Sequence, residues 1–365
     1  MAERYVLISL ILVVFSLSKV ATSTSTTPAV FIFGDSTADV GTNNFINETK
    51  AKADFPHNGV DFPGSRPTGR FSNGYNSADF VSKLMGFKRS PPPYLALITQ
   101  QQRLHRRIVQ AVNFYGVNFA SGGSGLLNET GNFTYVRVIP MAEQIQHFTK
   151  IREMIIDARG QESTDTFLSR SLFFLSVGSN DIFEYFGGNG TASDQSFITF
   201  LKITYELHLR MLYSLGARKF GIVSVPLIGC CPSQRIHNIT EGGCLEDMNL
   251  YSHMFFLSIE DMLGQLSLEL TDIKYSLGNA NEMVKDFMDN PLALNFTEIS
   301  SACCGNGTNP CSPNATLCPN RNQHLFWDLY HPTQAAAQLA ALTLYGGSRR
   351  FVTPINFMQL AAATF

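Results

Sequence analysis

Three residues that together can activate a nucleophile lie near opposite ends of this chain. Ser36 follows the apolar run 29–33 closely, and Asp328 lies three residues before His331. At that spacing a carboxylate and an imidazole can face the same way on one helical turn or tight loop. Serine is a poor nucleophile at neutral pH unless a histidine removes its proton. We therefore predict Ser36 as the nucleophile, His331 as its base and Asp328 as the residue that orients the base.

The same residues also have simpler interpretations. Asp35 or Ser36 could cap a turn at the end of a strand. Asp328 could cap the start of a helix that happens to have a histidine nearby. Each signal alone is modest, so the catalytic interpretation depends on their combination with further residues.

Two further positions could stabilise the negative charge of a tetrahedral intermediate. Gly123 lies in the glycine-rich stretch 121–125, where the backbone N–H groups are free to approach a ligand. Asn180 follows another apolar run and offers a side-chain amide. The loss of one such donor typically costs roughly 3 to 4 kcal/mol of transition-state stabilisation. We predict Gly123 and Asn180 as oxyanion donors.

Short apolar runs of strand character recur along the chain. The first, 29–33, is too continuous for a half-exposed strand and predicts a central strand buried on both faces. Four more runs predict strands at 117–120, 172–177, 220–225 and, more weakly, 273–275. In an open parallel sheet, ligands bind at the carboxyl ends of the strands. Ser36, Gly123 and Asn180 all follow predicted strand ends, so we expect them to share one crevice.

Helical patterns separate these runs. They predict helices at 76–85, 248–270 and 333–345, the last entered through Pro332 in its first turn. Two apolar stripes at helical spacing predict two more helices: Met141, Ile145, Phe148, Ile151 and Ile155, and Phe200, Ile203, Leu207, Met211 and Leu215. The alternation of helix and strand predicts an α/β fold, a parallel sheet with helices on both faces. The long segment 39–76, rich in Gly, Asn, Pro and Asp, predicts an ordered functional loop or lid.

Length and composition indicate a globular secreted protein. The chain has 365 residues, 44% of them hydrophobic and 15% charged, which predicts one large domain over 24–365. Arg4 precedes the apolar segment 6–17, and small or modest residues follow at 20–23, so 1–23 is predicted as a cleaved signal peptide. No later stretch has the roughly 20 apolar residues of a membrane helix. The formal net charge of −2 argues against a nucleic-acid partner.

If the protein is secreted, its sequons can be interpreted as glycosylation sites and its cysteines as disulfides. Eight Asn-x-Thr sequons are candidate glycosylation sites: Asn47, Asn128, Asn132, Asn189, Asn238, Asn295, Asn306 and Asn314. The seven cysteines, all after residue 229, predict disulfides with one thiol left over: Cys230, Cys231, Cys244, Cys303, Cys304, Cys311 and Cys318. A zinc site is the alternative, although the Cys-x6-Cys-x6-Cys spacing from Cys304 matches no common ligand pattern. We predict no bound metal.

Taken together, these blocks resemble the GDSL or SGNH family of serine esterases and lipases. The matching blocks are Gly34-Asp35-Ser36 with Asp39, Asn118 through Gly123, Gly178-Ser179-Asn180-Asp181, and Asp328-Leu329-Tyr330-His331. The stretches 66–74, 118–123 and 326–328 are similar to the large secreted plant branch of that family. The resemblance covers nearly all of the predicted mature chain.

The resemblance implies a fold and a set of roles. The fold is a three-layer α/β/α sandwich of SGNH-hydrolase, flavodoxin-like type, with a parallel sheet of about five strands. Ser36 would be the nucleophile, His331 the base and then the acid, and Asp328 its orienter. The N–H groups of Ser36 and Gly123 and the amide of Asn180 would form the oxyanion hole, with Gly122 as the alternative to Gly123. The absence of a Gly-x-Ser-x-Gly elbow argues against the α/β-hydrolase route to this chemistry.

The leading prediction is a secreted, extracellular, monomeric esterase or lipase that needs no cofactor and acts on small-molecule or polymer-bound acyl esters. One alternative is an acyltransferase, transesterase or polysaccharide deacetylase that acts on wall or cuticle esters. Another is a catalytically idle glycoprotein that binds acyl or glycan ligands. Six loop side chains could line an acyl pocket or simply pack: Phe45, Phe55, Phe62, Phe71, Tyr94 and Leu95.

Overall fold

The computed structural model describes residues 27–99, 114–188, 190, 195–237, 243–305 and 309–364. The predicted signal peptide 1–23 lies outside the described residues. The sequon asparagines Asn189, Asn238 and Asn306 lie outside them too.

The central sheet has six strands in the order β2-β1-β3-β4-β5-β8. Their bounds are β1 Val30–Gly34, β2 Gly116–Asn118, β3 Leu172–Ser176, β4 Lys219–Val223, β5 Lys274–Gly278 and β8 Val352–Thr353. The first five are parallel, which confirms the predicted parallel sheet, and β8 pairs antiparallel with β5. The edge strand β8 was not predicted because two residues are too few to show a periodic pattern.

The α-helices of the described chain alternate with these strands. They are α1 Ser77–Leu84, α2 Tyr94–Thr99, α3 Asn132–Tyr135, α4 Met141–Arg159, α5 Gln161–Arg170, α6 Ser179–Gly187, α7 Gln195–Ser214, α8 Pro232–Arg235, α9 Glu246–Glu269, α10 Ala280–Asp289, α11 Gln334–Gly346 and α12 Phe357–Ala362. Short 3-10 turns lie at Thr42–Phe45, Ile228–Cys230, Leu292–Leu294 and Arg321–Gln323.

Helices cover both faces of the sheet and complete the predicted sandwich. On one face α4 packs on β1, α9 packs on β5, and α7 lies between α4 and α9. On this side the rings of Phe31 and Phe173 meet Phe148 of α4 edge to face. On the other face α12 packs on β4 and β5, and α11 packs on both α1 and α12. Because both faces are covered, β1 is buried throughout, as its continuous apolar run predicts.

Two helices differ in detail from their sequence patterns. The helix predicted at the second stripe is confirmed as α7, but Phe200, Ile203 and Leu207 of that stripe are each more than half exposed. The buried face of α7 instead comprises Ile198, Leu201, Tyr205, His208, Leu209 and Leu212. Because α7 is apolar on both sides, spacing alone does not say which side faces the core. Pro332 does not lie in the first turn of α11, because Thr333 is the N-cap and its Oγ1 accepts a hydrogen bond from Ala336 N. The predicted final helix, α11, is also followed by a further helix, α12.

The cysteines form disulfides around a small second sheet. Strands β6 Glu298–Ala302 and β7 His324–Phe326 pair in parallel. The disulfides are Cys230–Cys244, Cys303–Cys318 and Cys304–Cys311, and the buried Cys231 is the free thiol. This confirms the predicted disulfides and the odd thiol. The zinc alternative is wrong, since the cysteines of the x6 spacing are oxidised in pairs.

Within the described ranges, no helix has the length and apolar character needed to cross a bilayer.

Candidate active site

Ser36 lies just beyond the carboxyl end of β1. Gly34, the last residue of this strand, has a φ of 149°, and a Cβ there would collide with the carbonyl oxygen of Ser176 on β3. A glycine is therefore required where the chain turns out of the sheet. The next residue, Asp35, donates its N–H to Ser176 O at 3.1 Å. Its carboxylate accepts hydrogen bonds from the backbone N–H and the hydroxyl of Thr37, which fixes the turn around Ser36.

The structure brings Ser36 into contact with His331 across 295 residues of chain. The distance from Ser36 Oγ to His331 Nε2 is 2.7 Å. The other ring nitrogen, His331 Nδ1, lies 2.8 Å from Asp328 Oδ2. Asp328 Oδ1 also accepts the N–H groups of Tyr330 and His331, so the Asp-x-x-His spacing forms a tight loop. All three predicted residues therefore lie in one continuous chain of hydrogen bonds.

The charges of this loop favour a basic imidazole. Burial alone would raise the pKa of Asp328, but the charge of His331 and the hydrogen bonds to the carboxylate outweigh it and lower that pKa. Burial alone would lower the pKa of His331, but the adjacent Asp328 carboxylate outweighs burial and raises it above its usual value. The result is an ionised Asp328 beside an imidazole with raised proton affinity, as a general base requires.

The long segment 39–76 supports the loop that carries His331. Phe71 places its ring 5.1 Å from the ring of His331, measured between centroids. The side chain of Asn73 accepts the N–H of Gln334 at 2.8 Å, three residues after His331. The buried Trp327 donates its indole N–H to Asn58 Oδ1 at 2.9 Å. The long loop thus has a positioning role in the structure.

The two predicted oxyanion donors line the same cavity as Ser36. One N–H of the Asn180 amide donates to Ser124 O at 2.8 Å, which orients the amide and leaves its second hydrogen. Gly123 has a φ of 82° and packs beneath the ring of Tyr135. Gly122 donates its N–H to the carboxylate of Asp39 at 3.0 Å. Because that N–H is engaged, the geometry favours Gly123 over Gly122 as a donor to substrate.

Two buried carboxylates hold the segments that carry the predicted oxyanion donors. Asp39 accepts the N–H groups of Gly41, Thr42 and Gly122, and burial raises its pKa to about 6. Asp181, next to Asn180, accepts three donors from the segment after Gly125, namely Leu126 N, Leu127 N and Thr130 Oγ1. Burial raises its pKa to about 6 as well. Both lie in the family blocks, but only the tertiary structure reveals which groups they hold.

The sequence reasoning missed Gln144 of α4. Its amide Oε1 accepts Gly34 N at 2.9 Å, and its Nε2 donates to Gly34 O at 2.8 Å and to Ile139 O at 2.8 Å. The sequence did contain a signal for this residue, because Gln144 lies beside Met141 and Ile145 on the apolar face of the predicted helix. A fully buried glutamine at such a position indicates a hydrogen-bonding task.

A large cavity of about 1160 Å³ opens at Ser36. Its volume exceeds the range of about 300–1,000 Å³ that is typical of small-molecule sites. Of the six loop side chains considered for an acyl pocket, Phe55 and Phe71 line it. Phe45, Phe62, Tyr94 and Leu95 are not among its described lining residues. Tyr94, for example, stacks on His147 with a ring separation of 4.3 Å.

Among the residues that the structure describes, no group of three His, Cys, Asp or Glu side chains is placed to hold a metal ion. A serine, a histidine and an aspartate in hydrogen-bonded succession, at the carboxyl edge of a parallel sheet, form the arrangement that serine-hydrolase chemistry requires. The chemistry available to this arrangement is acyl transfer through the serine hydroxyl.

Comparisons with known proteins identify the family. The family model for GDSL-like lipases and acylhydrolases matches residues 30–344. A GDSL esterase/lipase of Arabidopsis thaliana is 37% identical over 92% of this chain and 90% of its own length. From the same organism, GDSL esterase/lipase 6 is 34% identical over 97% of this chain and 96% of its own, and GDSL esterase/lipase LTL1 is 31% identical over 90% and 89%. The chain belongs to the GDSL-like lipase/acylhydrolase family, which confirms the prediction of a carboxylic ester hydrolase.

Proposed function

We propose that this protein is a secreted serine esterase that hydrolyses carboxylic esters through an acyl-enzyme on Ser36. The observation that carries the proposal is the hydrogen-bonded succession in which Ser36 Oγ lies 2.7 Å from His331 Nε2 and His331 Nδ1 lies 2.8 Å from Asp328. A nucleophile, a base within reach and an orienting carboxylate are the parts this mechanism needs.

The first half of the reaction acylates the enzyme. Ser36 Oγ attacks the ester carbonyl carbon while His331 Nε2 takes the hydroxyl proton. Asp328 stabilises the imidazolium that forms. The negative charge on the former carbonyl oxygen is met by the N–H groups of Ser36 and Gly123 and by the free hydrogen of the Asn180 amide. His331 then gives its proton to the departing alcohol, and the acyl group remains on Ser36.

The second half repeats these steps with water. His331 removes a proton from the water as it attacks the acyl carbonyl, the same donors stabilise the second tetrahedral intermediate, and the C–O bond to Ser36 breaks. Ser36 recovers its proton from His331 and the carboxylic acid leaves. Another alcohol in place of water would give a transesterase. The largely apolar lining of the cavity favours a hydrocarbon acyl group over an acetylated polysaccharide.

Secretion and glycosylation are part of the proposal. The three disulfides support an oxidising compartment such as the extracellular space. Four sequon asparagines, Asn47, Asn128, Asn295 and Asn314, are exposed and accessible to a glycosyltransferase, while Asn132 is half-buried. Intact mass before and after deglycosylation of the secreted protein tests this point.

The decisive experiment compares the wild type with Ser36→Ala on p-nitrophenyl esters from acetate to palmitate. We expect Ser36→Ala to lower kcat by several powers of ten, since it removes the nucleophile. Ser267→Ala on α9, far from the cavity lining, is the matched control and should retain full activity. A fluorophosphonate should label the wild type at Ser36. Esterase activity that survives Ser36→Ala unchanged contradicts the proposal, and transfer to an added alcohol in preference to water would favour the transesterase.

A further inference from the structure

The cavity at Ser36 continues inward along one face of the sheet. Its inner lining is apolar and comes from two strands and two helices. From β3 and β4 these residues are Phe174 and Val223, and from α10 and α11 they are Met283, Phe287, Ala336, Ala337, Ala340 and Leu344. Protein cores rarely contain voids much larger than a water molecule, so an apolar recess between the sheet and two helices calls for an apolar occupant.

One row of paired residues crosses the sheet beside this space, and its two middle members, Ser176 and Val223, line the cavity. The register pairs Gly34 of β1 with Ser176 of β3, Ser176 with Val223 of β4, and Val223 with Gly278 of β5. Paired residues of parallel strands point to the same face, and neighbouring strands lie about 4.8 Å apart. The row therefore runs for about 14 Å across three strand spacings. The row starts at Gly34, two residues before Ser36. Ser176, the second residue of the row, lies next to the predicted nucleophile, because its Oγ is 2.9 Å from Oγ1 of the following residue, Thr37.

Helix α11 forms the wall opposite this row. Ala336, Ala340 and Leu344 lie at i, i+4 and i+8 and hence on one helical face, which lines the cavity. At a rise of 1.5 Å per residue, these positions span about 12 Å. The alanines leave the space open, whereas Leu344 occupies the position where a side chain on Gly278 would lie. Leu344 therefore closes the far end of the row.

We propose that this inner space is an acyl-binding tunnel, and that the protein prefers esters of unbranched acyl chains of about ten carbons. That length follows from the 12 to 14 Å of the tunnel and a C–C bond of about 1.5 Å, which advances an extended chain by about 1.3 Å per carbon. The inference rests on the proposed function, because the acyl carbonyl must lie at Ser36 while its hydrocarbon tail enters between the sheet and α11.

The tunnel predicts a specific chain-length profile. Each methylene that leaves water is worth about 0.8 kcal/mol, or about a fourfold gain in kcat/KM. The wild type should therefore gain about fourfold per added methylene from acetate upwards, and the gain should stop near a ten-carbon acyl chain. The profile is obtained by measuring kcat/KM for p-nitrophenyl esters of increasing acyl length, each below its critical micelle concentration.

Two substitutions on α11 test the walls in opposite directions. Ala340→Phe fills the middle of the tunnel and should lower the ratio of kcat/KM for decanoate esters to kcat/KM for acetate esters by at least a hundredfold. Leu344→Ala opens the far end of the tunnel, so kcat/KM should continue to rise for acyl chains longer than ten carbons. Leu342→Phe, on the exposed face of the same helix, is the control and should keep the wild-type profile. A flat wild-type profile, or one that neither Ala340→Phe nor Leu344→Ala changes, overturns the tunnel.

A binding experiment separates the tunnel from the catalytic proposal. Ser36→Ala should bind decanoate measurably by calorimetry and should bind acetate far more weakly, and adding Ala340→Phe should abolish decanoate binding. If decanoate binds in this way but the wild type hydrolyses no ester, the catalytic proposal fails and the tunnel stands. If Ser36-dependent turnover is present but decanoate binds no better than acetate, the tunnel fails and the catalytic proposal stands.

Discussion

The side-chain amide of Gln144 holds both backbone groups of Gly34. Gly34 N donates to Gln144 Oε1 at 2.9 Å, and Gln144 Nε2 donates back to Gly34 O at 2.8 Å. The two residues are 110 positions apart, and Gln144 also bonds Ile139 O at 2.8 Å. Helix α4 is thereby fastened to the end of β1, two residues before Ser36. The predicted nucleophile is therefore positioned by a residue that has no role in the proposed proton transfers.

Gln144→Leu should therefore destabilise the fold and impair turnover. Gly34 N and Ile139 O lose a buried partner, and each unpaired group costs about 1–3 kcal/mol, so we expect a loss of about 2–6 kcal/mol in the free energy of unfolding. The end of β1 is then less well fixed, and kcat should fall by about tenfold to a hundredfold. Urea unfolding and ester kinetics measure both effects. The control is Gln146→Leu, at an exposed position of α4, which should change neither the free energy of unfolding nor kcat. If Gln144→Leu also left both quantities unchanged, this role of Gln144 would be contradicted.

The pH profile of the wild type should show an acidic limb governed by His331. The base must be neutral to accept the Ser36 proton, and the Asp328 carboxylate raises the pKa of His331 above its usual 6.5. We therefore expect kcat/KM to rise with pH through an apparent pKa above 6.5. Initial rates on an acetate ester between pH 5 and 9 provide the measurement.

Asp328→Asn should change both the height and the position of that limb. Without the carboxylate, burial dominates and lowers the pKa of His331, so the limb should move to lower pH. The plateau should fall by roughly three to four powers of ten because the imidazole loses its orientation and its charge partner. A plateau that stays high, or a limb that does not move, would show that Asp328 does not act through His331.

Asn180 should affect kcat much more than KM. Removing one oxyanion donor lowers kcat by a factor of about 10²–10³. We therefore expect Asn180→Ala to lower kcat by a factor in that range and to change KM by less than about threefold. Asn180→Asp keeps the shape but replaces the donor by a negative charge, so its loss should be at least as large. Asn290→Ala, at the exposed end of α10, is the control. A pure KM effect of Asn180→Ala would assign this residue to ground-state binding instead.

His147 should make the fold less stable in acid. Burial lowers its pKa to about 4, although Glu143 acts in the opposite direction. Between pH 6.5 and 4 the unfolded chain therefore binds a proton that the native state does not. This contribution is fully present above pH 6.5 and is lost as the pH falls toward 4, by about 1–2 kcal/mol after solvent screening.

Substituting this histidine should remove that part of the pH dependence. Phenylalanine can keep the stacking on Tyr94, so His147→Phe should match the wild type at pH 7 and lose less stability than the wild type at pH 4.5. Urea unfolding at pH 7.0, 5.5 and 4.5 measures the difference. The exposed His253→Gln should retain the wild-type pH dependence. Equal losses in His147→Phe and the wild type would refute the assignment.

The parts of the site that could be predicted are those carried by local patterns. Asp328 and His331 are three residues apart, so their pairing needs only a tight loop. Ser36, Gly123 and Asn180 each follow a buried apolar run, and the geometry of a parallel sheet then places them at one edge. Gln144 could not be predicted in the same way, because its partner Gly34 lies 110 residues away and its task depends on how α4 crosses β1.

Residue types and short-range spacing were enough to predict the alternation of buried strands and helices, the Asp-x-x-His pair and disulfides with one thiol left over. Four further features depend on the tertiary structure: Ser36 meets His331, α7 turns its Phe200 side to solvent, the cysteines pair in one specific way, and an apolar cavity lies beside α11. These features depend on the order of strands in the sheet and on the packing of elements distant in sequence, and a local pattern carries no information about either.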